Sequence, residues 1–403
     1  MAAEETLDVV AVFGPEHGFR GDKQAETGDE IVYIDKATRL PVFSAYNMDE
    51  TQITKVMVDL NITAVVVDMQ DVGVRLYTFI WTLYDTMKAA ADKSLNEQVS
   101  FIILDRPNPL GGELVDGPLL NMTCCSSGYG RFPITHIHGL TIAELASLFN
   151  SAIGLPSTNI IVVPMLRWLR EMRWGDTGLL WVPPSPNVPT PNTAIAYGAT
   201  VFLEATTVAE GRGTTTPFEL FGAPFLNAER LASRLNRDFY CSSPLAGLQG
   251  QHMQPQSTRS RFEGGESRNR NVFRAAYFQP TFSKYNGTTV PGAQWFDSSS
   301  RCAQDTVSLP TTSIPHSKFG AMSTFAEGTA ILIATKDLSL PADSFQWDGS
   351  WFGHPGTQLI DQYAGTPLYR ELIDSGESWQ RVVEVFAHDV WEFQVVRKSV
   401  LLY

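Results

Sequence analysis

Cysteine is scarce in this chain. Four occur among 403 residues, namely Cys124, Cys125, Cys241 and Cys302, and no two have C-x-x-C spacing. That excludes a disulfide-built scaffold and a structural zinc site of the usual spacing. Free thiols are expected, with room for one disulfide. Positive charge is also short, with 30 Lys and Arg against 43 Asp and Glu and a net charge of -13. Such a surface repels phosphate backbones and anionic lipids at long range, so neither nucleic acid nor a membrane is expected as a partner. No run approaches the ~20 apolar residues of a bilayer span. The opening segment, Met1 to Asp8, lacks the basic region and apolar core of a signal peptide. As it stands the chain reads as cytoplasmic, and an export leader would have to precede it. Sequons at Asn61, Asn121 and Asn286 matter only if the chain is secreted. No G-x-G-x-x-G follows the first strand, which weakens a nucleotide-dependent reading.

What is present is globular, with 43% hydrophobic and 18% charged residues. Short Val- and Ile-rich runs predict buried parallel strands at Leu7 to Phe13, Ala64 to Met69, Ser100 to Leu104 and Asn159 to Pro164. Helical patterns lie between them at Gln52 to Leu60, Thr78 to Lys93 and Leu140 to Ile153. Thr141 is the expected N-cap of the last, with Glu144 at the capping-box position. This alternation predicts an open α/β sheet with right-handed crossovers. The proline-rich run from Val182 to Pro191 is a stiff loop, and a boundary is placed near it. Beyond it, Thr200 to Ala205 and Thr329 to Ala334 read as strands of a smaller second domain. Residues 241–272 are polar and aperiodic, and read as a long surface loop.

The first three strands end alike. Gly14-Pro15-Glu16-His17-Gly18, Gln70-Asp71-Val72-Gly73-Val74-Arg75 and Asp105-Arg106-Pro107-Asn108-Pro109 each set charged residues beside Gly or Pro. Ligands of open α/β sheets bind outside the carboxyl ends of the strands, so the three ends point to one cleft. Glu16 is the first candidate catalyst, held on a rigid turn with His17 beside it to tune its charge. A glycosidase typically works with two carboxyl groups. The plain alternative is that Glu16 accepts N–H bonds from its own turn. Asp71 reads as a structural acceptor paired to Arg75, with a catalytic role as the alternative. Asp105, Arg106 and Asn108, on a proline-fixed backbone, suit sugar hydroxyls or a carboxylate, unless Asp105 and Arg106 lock their own loop. His136 and His138 share a face but lack a third ligand at suitable spacing, so no metal is expected. His138 reads as a cleft hydrogen-bonder or a helix-entry residue. Glu144 reads as a cap that could also face the cleft. Glu204 and the run Glu210-Gly211-Arg212-Gly213-Thr214 suggest an anion clamp at Arg212 or a turn in which Arg212 pairs with Glu210 or Glu204. Tyr77, Trp81, Trp181 and Tyr197 are candidates for a sugar-stacking face.

These motifs resemble one family. Phe13 to Gly21, Asp68 to Thr78, Leu104 to Gly112, His138 to Ala146, Pro183 to Thr190 with Asn187, Glu210 to Thr214, and Gln358 to Arg370 are similar, in order, to signatures of the DUF1343 (NamZ-like) exo-acting N-acetylmuramidases. The resemblance implies a Rossmann-like open parallel sheet domain at 1–190, a smaller α+β domain at 191–403 and a cleft between them. It also implies release of N-acetylmuramic acid from non-reducing ends of peptidoglycan fragments, without a cofactor. Carried over by position, Glu16 is the expected general acid, with Asp71 and Glu144 as further catalytic candidates. His17, Arg75, Tyr77, Asp105, Arg106, Asn108, His138, Asn187, Glu204, Glu210 and Arg212 would line the sugar site. The lactyl carboxylate of muramic acid would explain Arg106 and Arg212. Members of the family usually carry one βα unit before the Glu16 motif, so this domain is expected to lack it. The alternative is a non-catalytic amino-sugar or muropeptide-binding protein on the same fold.

Overall fold

The computed structural model describes residues 7–24, 31–95, 99–238, 273–297, 323–349 and 358–403. The predicted loop at 241–272 and Cys241 and Cys302 lie outside them. The first half alternates short strands and helices: β1 (Val12–Gly14), β2 (Val32–Ile34), β3 (Pro41–Ser44), α1 (Glu50–Asp59), β4 (Ala64–Val67), α2 (Phe79–Ala90), β5 (Ser100–Leu104), β6 (Asp116–Leu119), α3 (Met122–Cys125), β7 (Thr135–Ile137), α4 (Ile142–Ile153) and β8 (Ile160–Val163).

Local chemistry explains the ends of these elements. Asp49 caps α1 and Gln52 returns the bond, closing a capping box. Thr141 and Glu144 do the same for α4, as the sequence predicts, and Gly154 ends that helix at φ +83°. Strand β5 is central in a parallel sheet of order β4-β5-β8. Val67, Phe101 and Ile103 face one way and are buried against α2 and α4, where Trp81 and Phe149 meet at 5.7 Å between ring centroids. The opposite face carries Val66, Ile102 and Leu104, half-buried, with Ile161 and Val163 exposed. Strand β1 does not join this sheet among the described residues. It pairs in parallel with β3, and β3 pairs antiparallel with β2. The fold is therefore mixed α/β with a parallel sheet, and the single open sheet expected from the sequence is divided.

The second half contains α5 (Pro191–Thr200), β9 (Leu220–Gly222), α6 (Ala228–Asp238), β10 (Phe273–Phe278), β11 (Val290–Trp295), α7 (Thr324–Asp337), α8 (Leu359–Ala364), α9 (Pro367–Asp374), α10 (Trp379–Val385) and α11 (Ala387–Arg397). Strands β10, β11 and β9 form an antiparallel sheet in that order. Both strands predicted here are helical. Thr200 to Ala205 closes α5 and continues as a 3-10 turn, and Thr329 to Ala334 lies inside α7. Helix α7 is buried on nearly every side, and a short apolar run of that kind cannot be told from a buried strand by periodicity. At Gly328 it crosses α5 so closely that an added Cβ would sit 2.2 Å from the Ala199 carbonyl. One hydrophobic core joins Val72, Tyr77 and Ile137 to Tyr197, Phe221, Phe325 and Tyr363. The C-terminal segment returns to the first half. Asp389 accepts the Leu119 N–H at 3.0 Å, and Arg397 donates to the Gly112 and Gly139 carbonyls.

Candidate active site

Glu16 leaves β1 on a closed turn. The Gly18 N–H returns to the Pro15 carbonyl at 3.1 Å, and the His17 ring donates from Nδ1 to the Lys23 carbonyl at 2.9 Å. His17 itself holds φ +70°, a left-handed conformation that a non-glycine residue adopts at a cost and that clusters at functional sites. Glu16 is half-buried, and Oε2 accepts the Thr78 hydroxyl at 2.6 Å. The loop after β4 thus reaches the loop after β1. The same loop reaches the end of β5, because Gln70 donates to the Pro107 carbonyl at 3.0 Å. Asn187 is buried and donates to Gln24 at 2.7 Å, which ties the proline-rich loop to the Glu16 turn.

A second, half-buried ionic network is centred on Arg212. Arg212 donates to Glu204 at 2.6 Å, stands 3.7 Å from Glu210 and lies 5.0 Å over the Phe218 ring. Lys284 donates to Glu210 at 3.1 Å and to the carbonyls of Leu203, Glu204 and Val208. Burial opposes the Arg212 charge, but Glu204 and Glu210 outweigh it and hold its pKa above the ordinary value. Of the two readings of Arg212, the paired turn is the one observed. Its charge is balanced by carboxylates of the chain itself.

Four tyrosines pack in two pairs near these groups. Tyr77 and Tyr197 meet edge-on at 6.1 Å, and Tyr129 and Tyr363 at 4.7 Å. Tyr363 donates its hydroxyl to Glu204 at 3.2 Å. Burial is the main reason that all four phenols titrate above their ordinary value. Printed contacts aside, side chains run from one carboxylate to the other: Thr78, beside Tyr77, bonds Glu16, Tyr77 meets Tyr197, Tyr197 meets Phe218 at 4.8 Å, and Phe218 lies under Arg212, which bonds Glu204. Neutral phenols there offer hydroxyl donors and aromatic faces, which suits a sugar. Tyr129 and Lys284 lie in no sequence motif, and Tyr363 falls within the closing segment without being singled out there.

Other predicted residues are placed differently. Asp71 does not pair with Arg75. Its Oδ2 accepts the Gly73 N–H at 2.7 Å and lies 3.1 Å from His138 Nε2. The Leu140 N–H donates to His138 Nδ1, so the ring proton sits on Nε2, toward Asp71. Arg75 is fully buried and donates to the carbonyls of Tyr129 and Tyr363. Asn108 is buried, donating to the Leu140 carbonyl and accepting from Leu110 N–H. Glu144 is buried with both oxygens taken, by the Thr141 N–H on one and by Arg170 and the Leu402 N–H on the other. Asp105 and Arg106 do not lock each other through their side chains. Arg106 pairs with Asp68 at 2.6 Å, and Asp105 accepts from the Ala143 N–H and the Tyr403 hydroxyl. Both line a separate groove of about 620 Å³ with Arg167 and Trp168, at the carboxyl ends of β4, β5 and β8. Trp81 is a core residue that donates to the Arg75 carbonyl, and Trp181 donates to the Val188 carbonyl. Among the described residues no group of three or more His, Cys, Asp or Glu is placed to hold a metal ion, and Cys124 and Cys125 are free thiols. No helix described is long and apolar enough to cross a membrane.

Comparison with known proteins gives a consistent family. Residues 1–192 match the model of the N-terminal part of exo-β-N-acetylmuramidase NamZ, and residues 195–403 match its C-terminal part. The peptidoglycan β-N-acetylmuramidase NamZ of Bacillus subtilis (strain 168) is 36% identical over 398 residues, covering 98% of this chain and 80% of that protein. A crystal structure of a DUF1343 family protein from Bacteroides fragilis NCTC 9343 superposes with a TM-score of 0.73 at 27% identity, covering 100% of this chain and 88% of that one. A second DUF1343 structure from that organism gives 0.63 at 26% identity, covering 99% and 87%.

Proposed function

The chain belongs to the exo-β-N-acetylmuramidase NamZ family, and on that premise we propose that it is an exo-acting glycoside hydrolase that releases N-acetylmuramic acid from non-reducing ends of peptidoglycan fragments. The observation that carries this reading is the run of side-chain contacts from Glu16 to Glu204 through Thr78, the Tyr77 and Tyr197 rings, Phe218 and Arg212. Glycoside hydrolysis usually needs two carboxyl groups on opposite sides of the scissile bond. Glu16 is the general acid. Its proton passes to the glycosidic oxygen as the bond from C1 to that oxygen breaks, the leaving sugar departs with a free hydroxyl, and a water molecule supplies the oxygen that ends on C1 and returns a proton to the carboxyl pair. Glu204 is the second carboxylate, paired with Arg212 and oriented by the Tyr363 hydroxyl. Tyr77 and Tyr197 offer the sugar an aromatic wall, and Asn187 and His17 support the Glu16 side of the cleft.

Asp71, with His138, and Asn108 brace the loop that carries Thr78. Glu144 braces the start of α4. Glu210 acts through Arg212 and Lys284. Arg106 and Asp105 belong to the neighbouring groove, where a carboxylate-bearing part of the substrate would meet Arg106 and Arg167. We read residues 1–190 as a Rossmann-like unit and 191–403 as a smaller α+β unit.

Release of free N-acetylmuramic acid from a MurNAc–GlcNAc disaccharide tests the proposal, with a GlcNAc glycoside as control. Turnover of the muramic substrate alone is expected. Glu16→Gln should lose roughly 10²–10⁴-fold in kcat and still bind. Undiminished turnover by that variant, or equal turnover of the control, would overturn the assignment.

A further inference from the structure

Arg75 is a cation without a carboxylate. It is fully buried, and no Asp or Glu of the described residues forms an ion pair with it. Burying an uncompensated charge is costly, so what the guanidinium holds must matter to the fold or to the site. Nη1 donates to the Tyr129 carbonyl at 3.1 Å and Nη2 to the Tyr363 carbonyl at 2.7 Å. The room for it comes from two glycines close to those tyrosines. A Cβ at Gly130 would stand 3.1 Å from Nη1, and one at Gly365 would stand 3.1 Å from Nη2. The backbone of Arg75 is fixed as well, since its N–H donates to the His136 carbonyl and its carbonyl accepts the Trp81 indole N–H.

Each end of this arrangement leads to a carboxylate. Three residues after Arg75, on the same loop, Thr78 donates to Glu16 at 2.6 Å. Through Nη2, Arg75 holds the backbone of Tyr363, whose hydroxyl donates to Glu204 at 3.2 Å. Glu16 and Glu204 are far apart in the chain, and Arg75 is bonded to a segment that serves Glu204 from the loop that serves Glu16.

We propose that Arg75 is a positioning residue that fixes the spacing between Glu16 and Glu204 by clamping the Tyr129 and Tyr363 backbones to the loop that carries Thr78. The inference rests on the two-carboxylate reading above. It replaces the expectation that Arg75 touches the sugar. The guanidinium presents a separate nitrogen to each carbonyl, whereas a lysine in its place would have to serve both positions from one nitrogen. A displacement of about 1 Å between catalytic groups can cost roughly 10²-fold in rate.

The test is a double-mutant cycle on kcat with Arg75→Lys and Tyr363→Phe, in the full chain, with the MurNAc–GlcNAc disaccharide. Arg75→Lys is expected to lower kcat about 10- to 100-fold and to leave KM within about threefold, because no substrate contact is lost. Tyr363→Phe should lower kcat too, and the double variant should be no worse than Arg75→Lys alone. Multiplicative losses would overturn the proposal, since Arg75 would then not act through Tyr363. So would a raised KM at unchanged kcat, which is the signature of lost substrate binding. If Arg75→Lys does not give the native near-UV circular dichroism, Gly130→Ala takes its place in the cycle. That variant keeps the guanidinium and presses a methyl group toward Nη1. The underlying reading fails separately, if Glu16→Gln retains full turnover.

Discussion

Thr78 donates its hydroxyl to Glu16 at 2.6 Å across 62 residues of sequence. The loop after the second parallel strand thereby sets the orientation of a carboxyl group carried by the turn after β1. Thr78 stands at the N-cap of α2 but makes no side-chain cap bond there, so its hydroxyl serves Glu16 alone. Thr78→Val should lower kcat about tenfold, with little change in Tm, and Thr78→Ser should restore most of it. Steady-state kinetics beside thermal denaturation would show this. A large fall in Tm with unchanged kcat would assign Thr78 to the helix instead.

Arg212 is shared by two carboxylates. Arg212→Met would strand Glu204, because Glu210 keeps Lys284 while Glu204 keeps only a phenol. Leaving one member of a buried pair uncompensated costs about 3–5 kcal/mol. Adding Glu204→Gln should recover part of that loss. Guanidinium denaturation of the single and double variants measures both effects, and no recovery in the double variant would count against the pairing.

Gly73 has φ +81°, and a Cβ there would lie 2.3 Å from Asn108 Oδ1. Asn108 cannot move aside cheaply, since it bonds the backbone of both Leu110 and Leu140. Gly73→Ala should therefore destabilise by roughly 1–3 kcal/mol or more. It should also lower activity, because residues 70–78 bridge the strand ends. Full stability in that variant would mean the loop relaxes freely.

Burial raises Asp116 from 3.8 to about 6, against the bonds it accepts from the Ser323 hydroxyl and the Gly117 N–H. The folded state therefore holds this proton more tightly than the unfolded chain. Its stabilisation is complete below about pH 4 and is lost as the pH rises to about 6. Asp116→Asn removes that titration. Its Tm relative to the parent protein should rise by a few degrees between about pH 4 and 7. A difference in Tm that stays flat over this range would show that Asp116 does not titrate there.

Legibility in the sequence followed the range of the interactions. Helix α4 was readable because its start depends on Thr141 and Glu144, three residues apart. The Glu16 turn was readable because its conformation is written in Gly14, Pro15 and Gly18. Local spacing pairs Asp71 with Arg75, four positions on, yet its partner is His138, brought near by β7. Tyr363 stands 159 residues from Glu204, and no local pattern announces such a contact. Helix α7 misled because its surroundings are apolar on nearly every side, which erases the periodicity that separates a helix from a strand. The divided sheet was hidden for a related reason. Apolar runs indicate strands, but not which strands share hydrogen bonds.

The return of the C-terminal segment also bears on how the protein is made. Asp105 at the end of β5 bonds the hydroxyl of Tyr403, 298 residues later, and Glu144 in α4 bonds the Leu402 N–H. A ribosome adding roughly 5–20 residues per second would need about 15–60 s to cover that distance. During that time the parallel sheet has left the exit tunnel without its last hydrogen-bond donors. The carboxylates of Asp105 and Glu144 must wait, solvated or chaperoned, until Leu402 and Tyr403 have been made.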